Sequence, residues 1–183
     1  MSRFGGGATG LRRTTALSTL MLAFDGMFFV YQGEELGLPD AELVGHVEDP
    51  MSARNGEGMW TRDVARGPMP WTGGPHNGFT TAPEAWIATA PLPPSLTVEQ
   101  QRDDVTSTWH RYRQMVGLRK AHPAIWDAPF ELLRRDGDLL VIARGPYVVA
   151  CNLGDSPVDV PELHGTTLVF DSATPSTPPA GTP

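Results

Sequence analysis

The side chain best suited to chemistry in this sequence is Arg66, which lies in the proline- and glycine-rich stretch Thr61–Trp71, TRDVARGPMPW. A guanidinium presents a planar fork of hydrogen-bond donors that can grip hydroxyl groups or hold a carboxylate through two bonds. We therefore predict Arg66 as the main substrate-binding residue, the alternative being an arginine that only pins its own loop. Trp71 and Asp63 are the further binding candidates, although ordering the loop is the favoured role for Asp63.

Three pairs of carboxylates are weaker candidates. Glu34 and Glu35 follow an apolar run in Phe28–Leu38, FFVYQGEELGL. Adjacent residues of an extended backbone point to opposite faces, so these two are badly placed to flank one bond. Glu48-Asp49 is predicted to be a loop feature, and Asp103-Asp104 a charge pair in the first turn of a helix. We therefore assign no catalytic residue within this chain.

The composition excludes several classes of protein. A net charge of −7 argues against nucleic acid or an anionic membrane surface as a partner. The single cysteine, Cys151, lies in an apolar run and is predicted to be a buried small hydrophobe. It cannot form an internal disulfide, which fits a reducing cytoplasm. No apolar run is long enough to cross a membrane, so we expect a soluble protein. We assign no metal and no cofactor.

The elements that must position Arg66 begin with a helix and a strand. Leu17, Leu20, Met21 and Phe24 recur at helical spacing and predict a helix over 11–24, which Asp25-Gly26 ends. The run Phe28–Tyr31 then predicts a buried parallel strand. Such a strand needs parallel neighbours on both sides, and the sequence supplies no second strand of this type.

The long stretch from Gln32 to Arg102 has little regular pattern. Loops of this length are usually functional or disordered. The aromatic residues within it, Trp60, Trp71, Phe79 and Trp86, favour an ordered loop with a binding face, or aromatics that simply hold the loop down. His76 and Asn77 are predicted either to touch substrate or, more commonly for such residues, to lie in an exposed turn.

The remainder of the chain predicts a helix followed by an antiparallel sheet. Val105, Trp109, Tyr112 and Val116 form an amphipathic stripe in a helix over 103–121, which Pro123 ends. Strands are predicted at 130–135, 138–144 and 147–153, joined by turns at Asp136-Gly137 and Gly145-Pro146. A short fourth strand is predicted near 167–171, followed by a disordered tail over 173–183.

These segments together resemble a known family. The motifs VYQGEELGLPD (Val30–Asp40), EDP (Glu48–Pro50), RDVARGPMPW (Arg62–Trp71), GFT (Gly78–Thr80) and LRKAHPAI (Leu118–Ile125) are similar to the C-terminal third of bacterial α-glucosidases. Those enzymes are retaining glycoside hydrolases of the α-amylase superfamily, in the branch with oligo-1,6-glucosidase and trehalose synthase. The resemblance implies an α/β fold: residues 1–125 form the last helix, strand and helix of a (β/α)₈ barrel, and residues 126–172 form an antiparallel β-domain.

The resemblance also implies a function and its limits. Arg66 corresponds to the arginine that binds the non-reducing glucose in the −1 subsite, and Gly67 departs from the threonine or valine often found there. The family's three catalytic carboxylates would precede a segment like Ser2–Gly5, so we expect this chain to be inactive alone and also to stop before the family's final strand. The alternatives are a non-catalytic carbohydrate-binding or partner module, a trehalose synthase-like transglycosidase fragment, and a remnant without function. The expected partners are an α-glucoside and the missing barrel.

Overall fold

A computed structural model describes residues 1–55 and 61–173 of the chain. The helices of this part are α1 Gly7–Leu22, α2 Pro50–Asn55, α3 Val98–Asp103, α4 Thr108–Ala121 and α5 Ala124–Asp127. None of these described helices has the length and apolar character needed to cross a bilayer. The predictions for Trp60 and for the tail beyond residue 173 lie outside the described residues.

Helix α1 confirms the first predicted helix, with its start four residues earlier and its end two residues earlier than expected. Its last turn is closed by a side chain from another helix. The Arg119 guanidinium of α4 donates hydrogen bonds to the backbone carbonyls of Leu22, of Phe24 at 2.8 Å and of Gly26 at 2.7 Å. The Leu22 carbonyl ends α1 and has no partner within it, and the other two carbonyls lie just beyond the helix, so the arginine satisfies backbone acceptors where the helix ends.

The antiparallel sheet is formed as predicted by β1 Phe130–Asp136, β2 Leu139–Arg144 and β3 Tyr147–Asn152, in the order β1-β2-β3. Both connections are tight turns. Gly137 and Gly145 have positive φ angles of 53° and 54°, a backbone conformation that glycine adopts without strain. The fourth strand predicted near 167–171 is wrong: these residues belong to no strand, and Leu168 is 76% exposed.

Two apolar clusters hold these elements together. In the first, Leu20 of α1 and Ala23, which follows the helix directly, pack against Ile142 and Cys151 of the sheet. In the second, Leu22 of α1 packs against Tyr112 and Met115 of α4. Helix α1 is therefore the common support of the sheet and of α4. The burial predicted for Cys151 is confirmed, since it is 3% exposed, and burial raises the pKa of its thiol to about 11.

The buried parallel strand predicted at Phe28–Tyr31 is not formed. These residues belong to no strand, and Phe29, Val30 and Tyr31 are 80%, 40% and 54% exposed. Of the four, only Phe28 packs against the core, at the second apolar cluster. The physical reason is pairing: a parallel strand exists only where neighbouring strands take up its backbone hydrogen bonds, and the described residues offer none here.

The helix predicted over 103–121 is α4, which begins five residues later than expected, and a separate helix, α3, precedes it. Between them, the Asp104 carboxylate accepts hydrogen bonds from the backbone N–H and the hydroxyl of Thr106, at 2.8 and 2.7 Å. Ser107 then caps α4 by accepting from the His110 N–H. Asp103 therefore ends α3 and Asp104 follows it, so neither lies in the first turn of a helix, and Val105, expected on the apolar face, is 58% exposed.

Candidate functional site

Two loop segments, residues 48–51 and 61–66, are tied together by the buried carboxylates of Asp49 and Asp63, which we call the aspartate clamp. Asp63 Oδ2 accepts hydrogen bonds from the backbone N–H groups of Glu48 and Asp49, at 2.7 and 2.9 Å. Asp49 Oδ2 in return accepts from the backbone N–H of Arg62, at 2.9 Å. Each segment thus carries a carboxylate that satisfies the backbone of the other, which is how a loop without regular structure can be fixed.

The charge of Asp49 is balanced by Arg62. The Asp49 side chain has no solvent exposure, and the Arg62 guanidinium donates to its two oxygens at 2.8 and 2.5 Å. These hydrogen bonds hold the pKa of Asp49 well below its ordinary value of 3.8, despite the burial, and the same carboxylate raises the pKa of Arg62. Both groups are therefore charged at neutral pH, and the partly exposed Arg62 balances the buried charge of Asp49.

The clamp forms one side of a cavity of about 300 Å³. Arg66 lines this cavity, and its backbone N–H donates to the Asp63 carbonyl at 2.9 Å, so the clamp fixes its backbone directly. Its side chain is exposed, and within the described residues the guanidinium makes neither a hydrogen bond nor an ion pair. The donor fork of Arg66 is therefore available to a ligand in the cavity.

The other predicted binding residues divide between the cavity and its surroundings. Asp63 lines the cavity and is 2% exposed, with its carboxylate engaged in the clamp. Trp71 is 49% exposed and is not part of the cavity wall; its carbonyl accepts from the Glu99 N–H at 3.0 Å, next to α3. His76 and Asn77 lie in an exposed turn outside the wall. The structure thus brings Arg66 and Asp63 together and leaves Trp71 apart, and the binding roles of all three stay predictions.

The cavity wall also contains Glu48, Phe79 and Trp86, none of which was predicted individually as a binding residue, although the two aromatics were noted as part of a possible binding face. Trp86 is brought to the cavity by a short antiparallel bridge in which Leu43 pairs with Thr89. The flanking backbone bonds, from Val44 to the Ala88 carbonyl and from Ala90 to the Glu42 carbonyl, are 3.0 and 2.8 Å long. In the sequence these aromatic residues stand among glycines and prolines. That pattern indicates an ordered loop, but it does not show which of its residues share a cavity.

Glu34 and Glu35 lie in the 3₁₀ turn Glu34–Leu36 rather than in the extended backbone assumed from the sequence. Each carboxylate accepts a hydrogen bond from its own loop: Glu34 from the Tyr31 N–H at 3.0 Å, and Glu35 from the Gly33 N–H at 2.9 Å. Neither lines the cavity. Their contacts stabilise the turn and provide no pair of facing carboxylates. Across residues 1–55 and 61–173, no group of three or more potential ligands could hold a metal ion.

Comparison with known proteins connects this geometry to a family. The family model described as "Alpha amylase, catalytic domain" matches residues 1–128. A probable alpha-glucosidase of Rhizobium meliloti (strain 1021) is 35% identical over 130 residues, which are 70% of this chain and 23% of that protein. An oligo-1,6-glucosidase of Bacillus sp. (strain F5) is 28% identical over an alignment of 137 residues, and the match covers 64% of this chain and 27% of that protein.

Among solved structures, an alpha-glucosyl transfer enzyme named XgtA superposes with a TM-score of 0.71 at 30% sequence identity. The superposition covers 83% of this chain and 29% of that one. The chain therefore spans between about a fifth and a third of the length of the proteins that it matches.

Proposed function

The chain belongs to the alpha-amylase family, and on this basis we propose that it supplies a substrate-binding part of an α-glucosidase-type enzyme. The enzyme would hydrolyse α-glucosidic bonds of short glucosides. The observation that carries the proposal is the guanidinium of Arg66, which has no partner among the described residues, in a cavity held by the aspartate clamp. Arg66 would bind hydroxyl groups of the non-reducing glucosyl unit, since a fixed donor fork matches neighbouring hydroxyl oxygens.

The bond-breaking groups would come from residues outside this sequence. Retaining hydrolysis needs two carboxyl groups about 5–5.5 Å apart, one acting as nucleophile and the other as acid and base. Three carboxylates line the cavity: Asp49 and Asp63 are engaged in the clamp, and Glu48 alone does not make such a pair. In this proposal Arg66 positions the glucosyl unit, and the remaining barrel is the partner that completes the site.

The proposed fold assignment extends the family match. Helix α1, residues 28–31 and helix α4 would correspond to the last helix, strand and helix of a (β/α)₈ barrel, with residues 1–125 as barrel and 126–172 as a β-domain. The exposed apolar side chains of Phe29 and Tyr31 support this, because such side chains are normally covered. A cytoplasmic location is part of the proposal and is based on the single cysteine.

Glucosyl transfer is the second candidate reaction. XgtA, which superposes on most of this chain, is described as an alpha-glucosyl transfer enzyme. Hydrolysis and transfer share the glucosyl-binding step and differ in the acceptor, which is water or a hydroxyl group. Binding through Arg66 therefore serves either reaction.

The test is binding of methyl α-D-glucopyranoside to the 183-residue chain, measured by saturation-transfer NMR and by calorimetry. We expect binding by the wild type, and about a tenfold or larger rise in Kd for Arg66→Ala, because hydrogen bonds to a charged group are worth about 1.5–3 kcal/mol. Arg113→Ala, an exposed arginine of α4 outside the cavity, is the matched control. Absence of wild-type binding, or equal Kd values for Arg66→Ala and the wild type, would refute the proposal. We also expect no hydrolysis of p-nitrophenyl α-glucoside, and turnover by this chain would place the catalytic groups within it.

A further inference from the structure

The cavity has an aromatic wall that the binding role of Arg66 does not use. Trp86 is 79% exposed and Phe79 is 55% exposed, and both line the cavity. The neighbouring Ile87 is only 8% exposed and anchors the segment. Leaving an indole in water forgoes the favourable burial of a large apolar surface, so an exposed tryptophan in a fixed concave site suggests a ligand that covers it.

The polar residues of the same cavity are complementary to each other as hydrogen-bonding groups. Arg66 offers only donors, and Glu48, when ionised, offers only acceptors. A pyranose ring suits this combination, because its hydroxyl groups lie around its edge and its two faces carry C–H groups. A volume of about 300 Å³ is at the small end of ligand pockets, which fits one sugar ring better than an oligosaccharide.

We propose that Trp86 is the stacking platform of this cavity, on which the C–H face of one glucosyl ring lies while Glu48 accepts a hydrogen bond from a hydroxyl at the ring edge. This inference rests on the proposed function and adds to it the residues that contact the face and the opposite edge of the ring. Phe79 closes the same wall. The bridge between Leu43 and Thr89 positions Trp86, so that the platform is present before the ligand binds.

The experiment compares Trp86→Ala with Phe29→Ala in the 183-residue chain, again with methyl α-D-glucopyranoside as the probe. The two aromatic side chains are equally exposed, at 79% and 80%, and Phe29 lies outside the cavity, so Phe29→Ala controls for the loss of any exposed aromatic surface. We expect Trp86→Ala to raise the Kd about tenfold and Trp86→Phe to restore part of the affinity. Phe29→Ala should leave the Kd unchanged. Equal melting temperatures would show that the variants are folded.

The outcomes separate this inference from the proposed function. If the wild type binds, Arg66→Ala loses binding and Trp86→Ala keeps the wild-type Kd, the platform is refuted and the proposed function stands. If Phe29→Ala weakens binding as much as Trp86→Ala, the ring binds elsewhere and the platform is also refuted. If the wild type does not bind the glucoside, both fail.

Discussion

The buried hydrogen bond between Ser18 of α1 and Tyr112 of α4 permits a quantitative test of how these two helices are joined. The two hydroxyl oxygens are 2.7 Å apart, and the residues are 6% and 4% exposed. Tyr112→Phe leaves the Ser18 hydroxyl buried without this partner, and Ser18→Ala leaves the tyrosine hydroxyl in the same position. A buried polar group without a partner costs about 1–3 kcal/mol. We expect each variant to lower the free energy of unfolding by about 1–2 kcal/mol.

The double variant distinguishes this explanation from a general loss of packing. Once both hydroxyls are gone, neither is left without a partner, so the double variant should cost less than either single variant. The expected coupling is therefore at least about 1–2 kcal/mol. Urea unfolding, monitored by circular dichroism, gives the free energy of unfolding of the wild type, the two single variants and the double variant. Additive effects, with a coupling near zero, would refute the reasoning.

A matched control is available in Tyr147, whose hydroxyl lies 2.9 Å from His122 Nδ1 in an exposed position. Tyr147→Phe removes the same atom, but water replaces the lost bond, so the cost should be below about 0.5 kcal/mol.

Burial also raises the pKa of Tyr112 from 10.0 to about 12. Because the unfolded chain ionises at lower pH than the folded one, stability from this group is complete below pH 10 and is lost as the pH rises to 12. In Tyr112→Phe the free energy of unfolding should therefore fall less between pH 10 and pH 12 than in the wild type.

Two further predictions concern the clamp and the cysteine. The pKa of Asp49 is depressed below 3.8 in the folded chain, so its stabilisation is present above pH 3.8 and is lost as the pH falls below it. Asp49→Asn should accelerate trypsin cleavage after Arg62 at neutral pH, whereas Asp40→Asn, at an exposed carboxylate, should not. Equal cleavage rates would contradict a role for Asp49 in fixing this loop. The Cys151 thiol, buried and with its pKa raised to about 11, should react with Ellman's reagent at pH 8 only after denaturation, and rapid labelling of the native chain would contradict its burial.

The sequence was informative where structure is local. The hairpins follow from alternating apolar runs and from glycines at the turns, and α1 follows from its helical spacing. The separate helix α3 and the later start of α4 also had local signals: Thr97 caps α3 through the Gln100 N–H, and Ser107 caps α4, both of which are residue types typical of helix starts. The sequence-based interpretation gave more weight to the apolar stripe than to these caps.

Structure that depends on distant partners was not predictable in the same way. An apolar run such as Phe28–Tyr31 has the composition of a strand, but a strand also needs neighbours, and the described residues supply none. Arg66 was identified from its residue type and from the family resemblance. The cavity that it shares with Glu48 and Trp86 depends on the clamp and on the bridge at Leu43. Both are contacts between loop segments, and the periodicity of apolar residues does not predict such contacts.

The attachment of the sheet to α1 has a consequence for how the chain can vary in length. Arg12 binds the Gly154 carbonyl at 3.0 Å across a separation of 142 residues, and Arg13 binds the Leu153 carbonyl at 2.9 Å. The entropy of closing so long a loop changes slowly, by about 0.6 kcal/mol for each doubling. Insertions and deletions in the connection between α1 and the sheet therefore cost this junction little. The long loop that carries the aspartate clamp can lengthen or shorten around its fixed contacts while the ends of the connection stay joined.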